Sequence, residues 1–526
     1  MELVQFVDKS YREILEKLLP VLQKKSKWSY ISAAALLITI QQIYSYLHVP
    51  KKFRHIPSVS SLAMAMSFLR HESQADRFKR IIQPVMNKGN GVYVSKIPIS
   101  WTVYVANPVI AKHILLKSDM YPKSHNGFKI IGPNSPFLQF IGLNNLALSN
   151  GHTWKKQRKL MNPVFHRSMP VKMMSSVLLT LFSAIEKADG TIPIAEAMKH
   201  FTLDVLGYTI FDFDFKALKG DPDDWTKTYH LVNEALADPV LNVFPSMGAL
   251  LLVLLPVKRR RMAAIDKLNR KLDEMAQKKR REIQKGSYSN KLDSEKDLLT
   301  LMLEAENNGE GLLSDTELRH NLATFFLAGH ETTANSLSFA FYYLAQNKHV
   351  QQKLREEVIS IFGDEPTDIA PTLEQLKQLS YLDLVIKETL RIAGPIDRIV
   401  PRVVSEDIVV GGAFIPKGTS ANIDLYAIHH NTNIWKNPDQ FIPERFAEGG
   451  EQESHEGLTW VPFGNGARQC IGMNFSLAEQ RIVLALMVRK YIIDIPKDSI
   501  HYDHVVFDST ETKAPESLKL KFTKRH

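Results

Sequence analysis

The chain keeps one cysteine in 526 residues, and it lies in the run PFGNGARQCIGM, Pro462 to Met473. One thiol rules out any intramolecular disulfide, so the fold does not depend on an oxidising compartment. It also rules out a structural zinc or an iron–sulfur cluster, both of which need several cysteines at close spacing. The loop around Cys470 is unusual for core packing. Gly464, Gly466 and Gly472 let backbone amides approach a sulfur closely, and Arg468 supplies positive charge. The pattern SLAEQRIVLAL, 476–486, reads as a helix, so the loop opens onto a helix N-terminus, which favours an anion. A single thiolate on a metal is compatible with haem iron. Seen alone, the loop fits a buried structural cysteine more simply.

Other segments bear on that choice. FFLAGHETTANSLSFAFYYLA, 325–345, reads as a long apolar helix interrupted at Gly329, beside His330, Glu331, Thr332 and Thr333. An ordinary core helix avoids glycine and a carboxylate at its middle. The small pair Ala328-Gly329 would leave room for a ligand, with Glu331 and Thr332 placed to pass protons. His330-Glu331 opens an HExxH pattern, but position 334 is alanine, so a zinc-protease site fails. Glu388 and Arg391 stand three apart on one helix face, as do Trp154 and Arg158 at four. FIPERF, 441–446, supplies Arg445. Each of these is a weak signal singly, and a surface ion pair is the ordinary meaning of any one of them.

In order along the chain they are specific. The set WKKQR (154–158), AGHETT (328–333), ETLR (388–391), PERF (443–446) and FGNGARQCIG (463–472) resembles the cytochrome P450 family over nearly the whole length that follows the N-terminal stretch. The resemblance implies a mainly α fold with minor β, a single large haem domain. It implies haem b with Cys470 as the axial iron ligand. Trp154, Arg158, Arg402 and Arg468 match propionate-binding positions. Phe463 and Gly472 match the thiolate side, and Ala328 and Gly329 the oxygen side. Glu331 and Thr332 match the proton relay. Glu388, Arg391 and Arg445 match a structural triad. The implied reaction is insertion of one atom of O₂ into a hydrophobic small molecule. Electrons would come from NADPH through a separate cytochrome P450 reductase, with cytochrome b5 as a further partner. Lys155, Lys156 and Lys159 are candidates for the reductase-docking face.

The N-terminus reads separately. Residues 1–22 carry apolar positions at helical spacing, and Ser29 to Val49 hold no Asp, Glu, Lys or Arg. Lysines flank the second stretch on both sides, so residues 1–57 are expected to be an amphipathic helix, a membrane anchor and a hinge, ahead of a catalytic domain at 58–526. The expected location is the endoplasmic reticulum membrane, with lipid as a partner and the catalytic domain in the cytosol. This extension and the basic segment after Pro256 resemble fungal microsomal members, which makes steroid hydroxylation the lead substrate reading and fatty acids or xenobiotics the alternatives. Net charge is 66 − 56 = +10. Basic surface helices account for it, and no nucleic-acid partner is expected.

Candidate pocket segments are Phe137, Phe140 and Ile141, Phe325 and Phe326, Ile396 and Ile399, and Val505 to Phe507. Residues 92–106 alternate as a hairpin, and strand signals return at 399–423 and 502–522. Two other classes fit parts of the pattern. A P450-fold isomerase or dehydratase is disfavoured by the Glu331-Thr332 pair. A catalytically inactive haem-binding protein is disfavoured by the complete set of motifs.

Overall fold

The computed structural model describes residues 27–96, 100–167, 169–238, 255–291, 296–307, 313–410, 412–507 and 514–526. The amphipathic pattern of residues 1–22 and most of the apolar stretch at 244–257 lie outside them.

Helices carry most of the fold. The longest, Asp315–Gln346, starts at a capping box in which Ser314 and Glu317 satisfy each other's free backbone N–H groups. It is buried over most of its length, polar side chains such as Asn321, His330 and Thr333 included. Its N-terminal half, Leu318 to Phe326, joins one apolar cluster, and its C-terminal half, from Ala334, joins another. The run Ala328–Thr333 falls between the two, where packing leaves space. Helices Ile194–Leu206 and Met473–Lys490 pack against this central helix, as does Ser380–Ile392.

A minor β region flanks the helices. Strands Val92–Lys96 and Trp101–Val105 pair antiparallel, Val92 opposite Val105, as the alternation at 92–106 predicts. Val103 then pairs parallel with Ala421 of strand Ser420–Ile423, and Arg402 antiparallel with the same residue. The parallel pairing needs a long crossover, and about three-fifths of the chain, mostly helical among its described residues, separates the two strands. A third apolar cluster fills the space beneath this sheet. Strands Tyr491–Asp494, Lys519–Lys524 and Thr191–Pro193 form a second sheet. The strand expected over 502–522 is therefore confined, among the described residues, to its end.

The expected anchor is not shown by the described residues. Residues 27–47 form a helix, but no described helix is long and apolar enough to cross a membrane. Gln41, Gln42 and the hydroxyls of Ser29, Tyr30, Ser32, Thr39 and Tyr44 dilute its apolar character. It meets the first sheet through the Ser45 carbonyl, which accepts from Lys96 Nζ at 3.3 Å and Trp101 Nε1 at 3.4 Å.

Candidate functional site

The loop before helix Met473–Lys490 is folded tightly on itself. The Cys470 N–H donates to the Phe463 carbonyl at 2.9 Å, the Gly464 N–H to Val461 at 3.0 Å and the Gln469 N–H to Gly466 at 3.0 Å. Gly466 sits at φ +71°, and a Cβ there would fall 2.6 Å from the Leu115 carbonyl oxygen. Glycine is required at this position by conformation and by space. The loop delivers Cys470 to the wall of a cavity of about 370 Å³, and the exposure of this thiol is to that cavity. Surrounding protein pushes the thiol pKa up by desolvation, opposed by a hydrogen bond from the Gly472 N–H and by Arg158.

Across the cavity stand Ala328, Gly329, Thr332 and Thr333 of the central helix. The Thr332 hydroxyl donates to the Ala328 carbonyl at 2.8 Å. Gly329 is not simply room for a ligand. A Cβ there would meet Leu206 Cδ1 at 2.5 Å, so the glycine also admits the neighbouring helix. Glu331 does not line the cavity. It accepts a hydrogen bond from Asn233 Nδ2 at 2.7 Å, on helix Trp225–Leu236.

The remaining walls are apolar. Phe325, Ile396 and Ile399 line the cavity as the sequence predicts, and Phe165, Leu206, Ile210 and Val400 join them. Phe326 packs instead against Trp225, Tyr229 and His330, while Phe140 and Ile141 are core. Phe137 stacks on Phe128, and Val505 and Phe507 lie against the core; none of these lines the cavity.

One edge of the cavity is strongly basic. The Arg468 guanidinium lies 3.9 Å over the Trp154 ring and gives Nη2 to Asn150 Oδ1 at 3.1 Å, while its Nε and Nη1 have no partner. Arg402 gives Nη1 to the Tyr121 carbonyl at 3.2 Å and leaves Nε unpaired. Lys123 completes the group. Burial lowers all three cations, Arg468 to about 9 and Arg402 to about 10, and Lys123 well below its usual value. Mutual repulsion adds to this at Arg468 and Lys123. Among the described residues no Asp or Glu lines the cavity. Buried guanidinium donors without acceptors are costly, so this edge fits a ligand that brings carboxylates. A thiol facing an apolar space, beside unpaired cations, fits haem b and its two propionates. Sequence reasoning missed Lys123. It stands alone in YPKSHN, with no spacing to mark it, and only the fold brings it to Arg402 and Arg468. Trp154 and Arg158 do not touch the cavity themselves. Trp154 supports Arg468, and Arg158 Nη1 donates to the Gln469 carbonyl at 3.0 Å.

Beneath the site, Glu388 accepts from Arg391 at 2.7 and 2.8 Å and from Arg445 Nε at 3.3 Å. Arg391 also donates to the carbonyls of His429 and Pro438, both at 2.8 Å, which ties helix Ser380–Ile392 to the chain ahead of the cysteine loop.

This fold and this donor set together define a haem-thiolate protein. The chain belongs to the cytochrome P450 family, whose sequence profile matches residues 57–508. Cytochrome P450 4A12 of Rattus norvegicus is 30% identical over 399 residues, covering 74% of this chain and 75% of that protein. A taurochenodeoxycholic 6 alpha-hydroxylase of Sus scrofa is also 30% identical over 399 residues, covering 74% and 76%. Cytochrome P450 3A2 of Rattus norvegicus is 28% identical over 479 residues, covering 88% and 90%. The crystal structure of the cytochrome P450DA heme domain superposes with a TM-score of 0.73 at 23% identity, over 90% of this chain and 98% of that one, a likeness of fold. These curated relatives are mammalian, and the narrower likeness to fungal members gains no support from them. The chain is a monooxygenase of this family, which carries haem b and takes electrons from NADPH through a reductase.

Proposed function

We propose that the protein hydroxylates a hydrophobic small molecule, with a steroid skeleton as the lead substrate and fatty acids or xenobiotics as alternatives. The observation that carries the reading is Cys470 facing an apolar cavity edged by unpaired buried cations. The relative named as a taurochenodeoxycholic 6 alpha-hydroxylase supports hydroxylation and the steroid reading.

Bound haem supplies the activation of O₂ once electrons arrive. The chain's own residues do the rest. Cys470 Sγ holds the iron, and the Gly472 N–H and Arg158 favour the thiolate form against the cost of burial. Phe463 and Gly472 shape the slot beside the sulfur. Arg402, Arg468 and Lys123 bind the propionates, with Trp154 and Arg158 holding Arg468 and the loop in place. Ala328 and Gly329 leave a shallow groove on the oxygen side. Thr332 presents its hydroxyl there, and Glu331 relays protons to it from the outer face of the helix. Phe325, Ile396 and Ile399 exclude water and orient the substrate.

Residues 58–526 are the catalytic domain in this reading, in keeping with a family match that begins at residue 57. Residues 1–57 attach it to the cytosolic face of the endoplasmic reticulum through an uncharged helix flanked by lysines. Membrane lipid, the reductase and cytochrome b5 are the partners. Lys155 and Lys159 are exposed on the helix whose Trp154 and Arg158 face inward, which suits an acidic reductase. The test is the absorption spectrum of the dithionite-reduced protein with carbon monoxide, on wild type and Cys470→Ala. A strongly red-shifted Soret band that disappears in the variant is the expected result. No haem, or a band indifferent to the substitution, overturns the reading.

A further inference from the structure

The hydrogen bonds inside the cysteine loop account for its shape but not for where it begins. Trp460, Val461 and Pro462 lead into it and belong to no helix or strand. Val461 is 1% exposed, so its N–H must find an acceptor within the protein. Pro462 beside it has no N–H, which disfavours a strand ladder. The acceptor is a side chain, His429 Nε2, at 3.1 Å. His429 lies in the short helix Leu425–His430, whose first turn is held by Asp424, which accepts from the Ala427 N–H at 2.9 Å. The ring is buried and does not line the cavity.

A ring nitrogen accepts only while it carries no proton, so this bond fixes a neutral imidazole with its proton on Nδ1. Burial, with His430 and Arg391 adding to it, pushes the ring well below the usual histidine range and keeps it in that form. The backbone of the same residue is held as well, since its carbonyl accepts from Arg391 Nη1 at 2.8 Å. A continuous series of bonds therefore runs from the buried triad to the thiol. Arg391 binds Glu388 and the His429 carbonyl, and the His429 ring binds the Val461 N–H. The Val461 carbonyl then accepts from Gly464 at 3.0 Å, and the Phe463 carbonyl from Cys470 at 2.9 Å. Trp460 Nε1 donates to the Lys387 carbonyl at 3.0 Å, which sets the neighbouring residue against helix Ser380–Ile392. Within this series the imidazole is a link that one substitution can remove while Glu388 and Arg391 stay in place.

We propose that His429 is a positioning residue for Cys470: by accepting from Val461 at Nε2 it fixes where the loop starts, and so where the sulfur stands at the cavity wall. This rests on the reading of Cys470 as the haem ligand. The triad orders helix Ser380–Ile392 against the chain ahead of the loop, and His429 passes that order on to the loop itself. Without the acceptor a buried N–H is left unpaired, residues 460–462 shift to satisfy it, and the sulfur loses its fixed place.

The test uses the full-length haem-loaded protein as wild type, His429→Phe and His429→Gln. Phenylalanine keeps a flat ring without an acceptor, and glutamine places an oxygen near the position of Nε2. The readout is the rate at which the reduced carbon monoxide complex loses its red-shifted band, at one temperature below every thermal midpoint. His429→Phe should lose the band about tenfold faster or more, with an unshifted band growing in its place, and His429→Gln should recover at least part of the difference. Equal acceleration in both variants would assign the effect to ring packing and overturn the proposal, as would a wild-type rate in His429→Phe. Hydrogen exchange of the Val461 N–H in wild type, read by mass spectrometry with fragmentation to single residues, decides the question even if neither variant folds. That N–H should be as protected as the Cys470 N–H, and free exchange there overturns the proposal. A wild type with no red-shifted band overturns the haem-ligand reading itself, and the proposal with it.

Discussion

Glu388 and Arg391 meet through two hydrogen bonds with neither side chain exposed, and Arg445 closes on the same carboxylate. Three residues apart on one helix, they would be worth a few tenths of a kcal/mol at a surface. Buried, they behave differently. Glu388→Ala leaves the buried Arg391 guanidinium without its counter-ion and Arg445 with Glu451 alone. The expected loss is about 3–5 kcal/mol. It should appear as a lower thermal midpoint and as haem-free protein on purification. Arg391→Lys keeps the charge but cannot reproduce the fork to Glu388 and the donations to His429 and Pro438, so it should rescue only part of the loss. Unfolding of Glu388→Ala at the wild-type midpoint would refute this.

Lys123 and Arg402 should show effects of opposite sign on the empty and loaded protein. Without haem each is a cation that burial disfavours, and Arg402 Nε has no acceptor. Replacing either by methionine removes that cost, so the apoprotein should unfold at a higher temperature than wild type. With haem each cation would face a propionate in the proposed site, and the same substitution would remove a charge-assisted bond. Haem should then leave faster, measured as transfer to an excess of apomyoglobin. A variant that destabilises both forms equally would show that these residues serve packing rather than the propionates.

The contrast between Arg468 and Lys123 shows what the sequence makes legible. Arg468 is two residues from Cys470 in a glycine-rich loop, so its place beside the thiol follows from local chain geometry. Lys123 lies 279 residues before Arg402 in sequence, and their approach depends on how the Lys123 segment meets the strand at 402–403, an isolated bridge between the two. Helices were readable from long apolar periodicity, and the hairpin at 92–105 from alternation. The split of Glu331 from Thr332 was not. Adjacent helix residues point about 100° apart, so a relay pair necessarily faces two ways, and only the packing of helix Trp225–Leu236 shows what Glu331 faces. The apolar stretch at 29–49 was readable as a helix, which is seen at Lys27–Leu47, but the span expected from it is not shown, since no described helix is long and apolar enough to cross a membrane.

Asp204 offers a pH test of a supporting element. It lies near the end of helix Ile194–Leu206 and accepts from the backbone N–H groups of Ala217 at 2.8 Å and Leu218 at 3.0 Å. Burial pushes its carboxyl up to about 6, against the pull of those two bonds. The folded state therefore binds more protons than the unfolded state between the ordinary carboxylate range and about 6. The stability contributed by this group is full below that window and is lost as pH rises through 6. Asp204→Asn cannot titrate. Its stability relative to wild type should rise between pH 5 and pH 7, on top of a constant loss from the weaker acceptor. Thermal midpoints of both proteins across that range check the slope, and a constant difference would mean that Asp204 titrates normally.

The proposed relay makes the roles of Glu331 and Thr332 separable by experiment. Thr332 faces the cavity with its hydroxyl bonded to the Ala328 carbonyl, while Glu331 lies on the outer side, held by Asn233. In the proposed relay a proton from outside would pass from Glu331 to the groove beside Thr332, and the carboxylate would then exchange Asn233 for the cavity side during turnover. Glu331→Gln keeps the size and the bond to Asn233 but cannot accept and release a proton. Turnover should fall by about 10²-fold or more, with a larger solvent isotope effect, while the substrate-induced spin-state shift stays as in wild type. Thr332→Ala should instead leave NADPH consumption measurable and divert it from product, because water then reaches the groove without the hydroxyl that directs the proton. Product formed per NADPH consumed distinguishes the two variants. If Glu331→Gln lowered substrate affinity and left the isotope effect unchanged, the carboxylate would belong to the packing of helix Trp225–Leu236 and not to the relay.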